Sequence, residues 1–423
     1  MSRVQKPEIS QRYIPKAALP DASRALRCQY PTGRFPRTAQ GDQMHDLAHW
    51  AGMAATVLAL VSAGYALAAV CLAGRFKVSH RQTSAKFPPV TLLKPLHLDE
   101  PRLRENLESF CRQNYPAPVQ IVFGVQDPLD PATKIVESLK RAHPGLDIEL
   151  VVDTRLYGAN RKVSNLINLV ERAKYDVLVL SDSDIAAGSD YLSAITNSLE
   201  QARGGAVTCV YSGAPLDNIW SRLVAMGINY QFIPNALFGT TLGLASPCFG
   251  STIALHKDLL RRIGGMQAFS NHLADDYEIG RAVRARGHSM TLAPVVVSHT
   301  CGERSRREMF DHELRWARTI RLLNTSGHLG TFVTHAVPLA LIAMALNGVN
   351  LLSVGVLAAA LLARLCVKWR MDRVLGTSAG PAWLLPVRDM LSFVIFLGSL
   401  AGGNIHWRGT KFLVAANGVL LHQ

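Results

Sequence analysis

Two aspartates spaced one apart, Asp182 and Asp184, close the run "YDVLVLSDSD" after four consecutive apolar residues, Val177 to Leu180. Carboxylates this close at a core edge repel each other, and each is costly to bury unpaired. Side chains two apart at a strand end project to the same side. Such a pair can ligate a hard divalent cation, Mg2+ or Mn2+, which can in turn bridge a diphosphate. The chain has neither a G-x-G-x-x-G after its first expected strand nor a G-x-x-x-x-G-K-[ST], the two common phosphate-cradling loops. A nucleotide diphosphate bound here would therefore need the metal. Any Asp-rich turn also yields a D-x-D, so the pair gains meaning only in company.

Three further stretches supply that company. "YGANRKVSNL" places Gly158, Asn160 and Lys162 just before a helix, where backbone N–H groups and a lysine can meet an anion. An ordinary helix start is the plainer reading. "NHLADDYEIGRAVRARGH" sets Asp275 and Asp276 at the head of an amphipathic helix, where the dipole favours acids in any case. One of these two carboxylates can cap backbone N–H groups while the other faces a cleft. "DHELRWARTIRLL" puts His312, Arg315 and Trp316 at i, i+3 and i+4, on one helical face. The competing reading there is a solvated basic helix with a Trp at the membrane surface.

The elements that must carry these residues alternate. Strands are expected at Pro89–Leu96, Val119–Asp127, Asp147–Asp153 and through "DVLVLSDSD", with helices at Asp99–Gln113, Pro131–Pro144 and Lys162–Ala173. Alternation with short joins predicts an α/β domain with a mostly parallel sheet. Ligands of such sheets bind beyond the carboxyl ends of the strands. Asp127, Asp153, Asp182 and Asp184 all fall at such ends and are expected to converge on one crevice.

Around this domain the chain is apolar. His49–Gly74 and Thr331–Ala363 contain no Lys, Arg, Asp or Glu. The first is long enough to cross the roughly 30 Å hydrocarbon core. The second is too long for one pass and has "LNGVN" at its middle, so it predicts a helical hairpin with legs of about 17 residues each. A third stretch, Met390–Trp407, crosses, dips in or lies in the interface. The resulting division is a polar, disordered arm at 1–45, a span at 46–74, a catalytic domain at 75–300, an amphipathic interface helix at 301–330, a hairpin at 331–367, and a linker with a membrane-associated or spanning segment at 368–423. Arg75, Lys77, Arg81 and Lys86 follow the first span, and Arg364, Lys368, Arg370 and Arg373 follow the hairpin, which places both flanks in the cytoplasm. The arm also has Arg34 and Arg37.

The net charge of +14 admits a nucleic-acid partner, but no zinc-finger, RRM or helix-turn-helix pattern accompanies it. The seven cysteines show no C-x-x-C pairing and read as structural thiols of a reducing compartment. A transporter should place ionisable groups deep in its spans, and only His49 and His335, near span ends, are candidates. An inert scaffold should have lost one of the acids, and all are present.

Together and in this order, "VQDPLDPA", "SDSD", "ADD" and "RW" resemble the D, D, D, (Q/R)xxRW pattern of family 2-type glycosyltransferases, above all the ceramide glucosyltransferase-like branch (family 21). "LADDY", "HELRWARTIR", "WLLPVRD" and "HWRG" look most like the bacterial hopanoid-biosynthesis glycosyltransferases. The resemblance covers roughly residues 89 to 412. It implies a GT-A fold and an inverting, metal-dependent transfer from a UDP-sugar to a membrane-lipid hydroxyl. N-acetylglucosamine moving to a hopanoid is the first expectation, and glucose moving to ceramide the alternative. By the same resemblance Asp127 contacts the uracil, Asp182 sits at the ribose and the metal, and Asp184 ligates the metal. Asn160 and Lys162 line the donor site; Asp276, with Asp275 beside it, is the general base; Arg315 and Trp316 hold the diphosphate and the acceptor mouth. His312 stands where many relatives have Gln or Arg and is assigned to the diphosphate or acceptor. The implied location is a bacterial inner membrane with the site facing the cytoplasm.

Overall fold

The computed structural model describes residues 39–76, 86–98, 100–402, 404–407, 410–414 and 418–422. Residues 1–38 of the expected arm, Lys77, Arg81 and the Arg408–Gly409 part of "HWRG" lie outside the described residues.

The strand β1 (Val90–Pro95) is buried at every position, as a strand covered on both faces must be. Beside it run β2 (Val119–Val125), β3 (Asp147–Val152) and β4 (Val177–Leu180). These four pair in parallel in the order β3-β2-β1-β4, with Leu93 opposite Val122 on one side and Leu180 on the other. Their crossovers are α2 (Leu103–Cys111), α3 (Ala132–Ala142) and α4 (Arg161–Arg172). Every strand and helix expected here is found, most of them shorter by one or more residues because the polar ends belong to turns, and α4 moved by one residue at equal length.

The second half is less regular. It comprises β5 (Ile185–Ala186), α5 (Tyr191–Gln201), β6 (Ala206–Pro215), α6 (Ile219–Gly227), a π-helical turn (Ile228–Phe232), α7 (Ile233–Thr241), β7 (Ile253–His256), α8 (Lys257–Arg262), α9 (Asp275–Ala285) and β8 (Met290–Cys301). β7 enters antiparallel between β4 and β6, and β8 lies parallel to β6, completing an eight-stranded mixed sheet of order β3-β2-β1-β4-β7-β6-β8-β5. One face packs on Phe110, Leu139 and Tyr191, the other on Leu166, Phe269 and Ile279. This is the GT-A type of α/β fold.

Six helices flank it: α1 (Ala39–Ala73), α10 (Arg306–Leu323), α11 (Thr325–Gly330), α12 (Ala336–Asn347), α13 (Leu351–Leu375) and α14 (Leu385–Leu400). A small antiparallel sheet of β9 (Asn404–Trp407), β10 (Thr410–Val414) and β11 (Leu420–His422) comes last. The chain divides between Asp46 and Leu47 into two units, and of the first only Ala39–Asp46 is described, as the start of α1.

Several membrane expectations change. The helix α1 begins at Ala39, inside the segment assigned to a disordered arm. Leu47–Ala73, Leu351–Leu375 and Ala382–Leu400 are long and apolar enough to cross a membrane. The hairpin turn is present at Gly348–Asn350, but its legs are unequal. α12 has 12 residues, about 18 Å, too short to cross. It joins the preceding Thr325–Thr334 segment at a 66° bend. α13 has 25 residues and runs past the expected boundary at 367, begun by an Asn350–Ser353 capping box. Arg364 and Lys368 therefore lie within α13, and both are buried rather than free cytoplasmic flanks. The third stretch is helical only to Leu400, with Trp407 in β9.

The ends of these helices match. Asn347 Nδ2 donates to Gly52 O at 2.9 Å, and the Arg370 guanidinium lies against Gly74. The helices α1 and α13 thus run the same way, with the Gly348 turn beside the Gly52 end of α1.

Candidate active site

The turn after β4 is built from below. Lys94, the fifth residue of the apolar strand β1, has no solvent exposure. Its Nζ donates to Asp182 O at 2.8 Å, Ser181 Oγ at 3.3 Å and Ile185 O at 3.5 Å, and stands 3.6 Å over the Phe110 ring. Burial pulls the Lys94 pKa down to about 7, although Asp182 and Asp184 pull the other way. The ammonium ties down the backbone of the turn, leaving the Asp182 and Asp184 side chains to face the cleft.

Three elements close around those two acids. Lys162, in the first turn of α4, contacts Asp182 Oδ1 at 2.7 Å and Asp275 Oδ2 at 3.0 Å. Burial alone would depress its pKa, but Asp182, Asp275 and Asp276 hold it above the usual lysine range. His299, near the end of β8, places Nδ1 3.4 Å from Asp184 Oδ2. Burial raises the Asp184 carboxyl, and His299 more than offsets this, leaving it below its usual value. For Asp182 burial prevails over Lys162 and the pKa is raised.

The third element is α9, whose first two residues are Asp275 and Asp276. Their division of labour differs from the expectation that one carboxylate caps backbone N–H groups while the other, the base, faces the cleft. Asp275 is buried against Lys162, whereas Asp276 takes the backbone donors, Oδ1 from Tyr277 N at 2.7 Å and Oδ2 from Gly250 N at 2.9 Å. Asp276 is still only half-buried. Burial, then Asp275, pushes its pKa up to about 6.

Helix α10 is capped by Ser305, whose Oγ accepts from Glu308 N at 3.2 Å. His312 is locked to Glu303 by a short Nδ1–Oε1 contact, and its ring sits 4.3 Å from Trp316. Trp316 is in turn 6.1 Å from the His299 ring, so this helix abuts the partner of Asp184. Arg315 lines an open depression of about 370 Å³ with Glu303, Asp311 and His312. The helix is held from behind: Arg388 grips both oxygens of the buried Glu313, with Nη2–Oε2 at 2.8 Å, and Asp389 next to it binds Arg364 through two contacts of 2.8 Å.

The remaining expected residues stand apart. Asn160 is fully buried, its Oδ1 accepting from Val163 N at 3.1 Å and its Nδ2 donating to His272 O at 2.8 Å. The first bond caps α4 and the second ties Asn160 to the loop before α9, so both polar ends are engaged within the protein. Asp127 is exposed and accepts from Leu129 N at 2.8 Å. It lies on the same sheet edge as Asp182 but two strands away, about 10 Å laterally. Asp153 is clamped by Arg155 at 2.6 Å and does not join the cluster. The convergence is therefore of Asp182, Asp184, Asp275 and Asp276 with Lys162. Lys94, His299 and Gly250 complete it, and nothing in their sequence surroundings singles them out.

A cluster of four acids gathered on one lysine and one histidine, beyond strand ends, can hold a cation and a phosphorylated donor and can accept a proton. The chain is similar to several known proteins. Ceramide glucosyltransferase 1 of Caenorhabditis elegans is 25% identical over 214 residues, covering 50% of this chain and 46% of that protein. Ceramide glucosyltransferase 3 of the same organism is 24% identical over 375 residues, covering 82% and 77%. The chain thus spans about half the length of the first and about three quarters of the second. A Candida albicans ceramide glucosyltransferase is 36% identical over 114 residues, 24% of this chain and 21% of that one. Among solved structures, a mannosyltransferase from Pyrobaculum calidifontis in complex with GDP-Man and Mn2+ aligns with a TM-score of 0.47 at 19% identity, covering 83% of this chain and 97% of that one. These relatives favour the ceramide branch over the hopanoid branch that the motifs first suggested. The model of glycosyl transferase family 21 matches residues 54–420, and the chain belongs to that family.

Proposed function

We propose that the protein transfers glucose from UDP-glucose to the primary hydroxyl of a ceramide-type lipid, with inversion, at the cytoplasmic face of its membrane. The observation that carries this is Asp276, a half-buried carboxylate with pKa raised to about 6, set beside Gly250, Asp182 and Lys162 in a family 21 chain. A lipid alcohol, about as weakly acidic as water, needs a base. Asp276 Oδ takes the proton as the hydroxyl oxygen bonds to C1 of the sugar. The C1–O bond to the diphosphate breaks on the opposite side, UDP departs, and no covalent sugar–enzyme intermediate forms.

Two of the four acids, Asp182 and Asp184, are the candidate ligands for a divalent metal. Among the described residues no group of three or more His, Cys, Asp or Glu side chains is arranged to hold an ion. Mg2+ and Mn2+ do not require one, since they bind through one or two carboxylates and complete their shells with phosphate oxygens and water. Asp184, with its pKa held low, and Asp182 suit that role. When bound there the ion would offset the charge that develops on the departing diphosphate. Lys162 neutralises Asp182 and Asp275, and Arg315 offers a cation for the diphosphate at the α10 side.

The cytoplasmic orientation rests on the basic residues Arg75, Arg370 and Arg373 at the matched helix ends and on the supply of UDP-sugars from the cytoplasm. The test is transfer by purified protein in vesicles, offering UDP-glucose or UDP-N-acetylglucosamine with ceramide or a hopanoid polyol. A β-glucosylceramide product is expected. Transfer to the hopanoid alone, or an α-linked product, would overturn the assignment.

A further inference from the structure

Leu223 to His256 contains no Lys, Arg, Asp or Glu, although it lies within the catalytic domain and not in any helix long and apolar enough to span. In the structure it begins in α6, continues through the π-helical turn into α7, and then forms an exposed loop before β7. Two contacts fix how deep this segment sits beside the membrane helices.

The first is to α1. Tyr65 Oη donates to Asn235 Oδ1 at 3.0 Å, and its ring lies 4.6 Å from Phe238. Tyr65 is eight residues before the Ala73 end of α1, about 12 Å along the axis. The second is to α13. Pro234 has no N–H to give the carbonyl of Tyr230 one turn earlier, and Arg364 Nη1 donates to that oxygen at 2.8 Å. Arg364 is six residues before Arg370, which lies against the same end of α1, and so is about 9 Å inside it. Both markers place the middle of the α6–α7 helix beside α1 and α13, about 9–12 Å inside the Ala73 end of α1.

The loop after α7 is apolar and uncovered. Leu242 is 51% and Leu244 75% exposed, and every residue from Thr241 to Ser246 is exposed. Water is a poor environment for such a tip. A few residues on, Gly250 donates to the proposed base Asp276. The apolar tip and the acid cluster are thus joined by one short length of chain.

We propose that Leu223–Ser246 is embedded in the leaflet, with Leu242 and Leu244 in contact with lipid acyl chains. Its exit toward Gly250 is then the path by which the acceptor headgroup reaches Asp276, a part that rests on the lipid-acceptor reading. The occupant is acyl chain rather than a protein partner, because the segment is continuous with α1 through Tyr65 and presents no charge for a partner to read.

The test uses the full chain in vesicles doped with phosphatidylcholine that carries a photoactivatable diazirine in its acyl chain. Trypsin releases this segment whole, between Arg222 and Lys257. Lipid adducts on that peptide, centred on Phe238–Ala245 and comparable with those on the α1 peptide, are expected. Labelling no higher than that of the α3 peptide would overturn the embedding. A Leu242→Ser/Leu244→Ser variant should lose the adducts. It should also raise the KM for a long-chain acceptor about tenfold more than that for a short-chain, detergent-soluble one. Equal effects on both acceptors would overturn the path. Labelling without transfer to any lipid would leave the embedding standing and sink the proposed function instead.

Discussion

The amide of Gly250 donates to Asp276 Oδ2 at 2.9 Å, and a Cβ on Gly250 would stand 2.9 Å from Asp182 Oδ2 and 3.3 Å from Lys162 Nζ. The glycine is required by this close approach and not by a left-handed backbone. Gly250→Ala must push apart the acids and the lysine that carry the site. Its turnover should fall by about 10² or more, the cost of displacing catalytic groups by an ångström, while the fold is kept. Unchanged kcat would mean that this contact does not position the base.

Asp276→Asn keeps the size of the side chain and removes the base, so kcat should drop by about 10²–10⁴ with donor affinity retained. Because the Asp276 pKa is raised to about 6 and the base works deprotonated, kcat/KM should rise with pH through that value and level off above it. Asp275→Asn leaves Lys162 with Asp182 alone and should cost about 1–3 kcal/mol of stability, seen in thermal melts, with less effect on kcat. If Asp275→Asn abolishes turnover and Asp276→Asn does not, the two roles are reversed.

Chelation offers a separate measurement. Excess EDTA should stop sugar transfer, and Mg2+ or Mn2+ should restore it. Asp184→Ala should not be restored, though it stays folded and membrane-bound. Full activity in EDTA would remove the metal from the mechanism.

Lys94 makes its prediction from beneath the site. Lys94→Met fills the same space but strips the donors from Ser181 Oγ and from the carbonyls of Asp182 and Ile185. A loss of about 1–3 kcal/mol for each buried acceptor left unpaired is the scale to expect. The Lys94 pKa is lowered to about 7, so between that pH and the ordinary lysine range the unfolded chain binds more protons than the folded one. Wild-type stability should therefore gain with rising pH over that window, and Lys94→Met should lose that part of the slope. Melting curves at pH 7 and pH 9 check the difference.

Glu313→Gln breaks one side of a buried ion pair and leaves Arg388 uncompensated behind α10. A destabilisation of about 3–5 kcal/mol is expected. Pairing it with Arg388→Met should recover most of the stability. It should not recover full turnover if the pair also sets the position of Arg315 and Trp316. Full recovery of both would reduce the pair to packing.

The first half of the fold could be read directly because parallel strands covered on both faces are apolar throughout and their helices are amphipathic. Runs such as Val177–Leu180 and Ile121–Val125 allow little else. The acids at strand ends were legible for the same reason: a charge that comes after such a run marks where the core stops. The capping role of Asn160 was also visible in principle, since Asn before a helix start is a common cap.

Lys94 and His299 were not legible. Each lies within a strand pattern, and its partner is supplied by another strand, Lys94 reaching the turn after β4 and His299 reaching Asp184. Nor does composition show that Asp275 rather than Asp276 would take Lys162, because neighbours on a helix turn face different directions and α4 alone settles which one is met. The uncharged run at Leu223–His256 was present in the sequence, yet its Asn, Gln and Pro residues keep it below the hydropathy of a span. Asn235 and the Tyr230 carbonyl, which Pro234 cannot serve, are met by Tyr65 and Arg364, residues far away in the chain, and only the tertiary structure brings such partners to them.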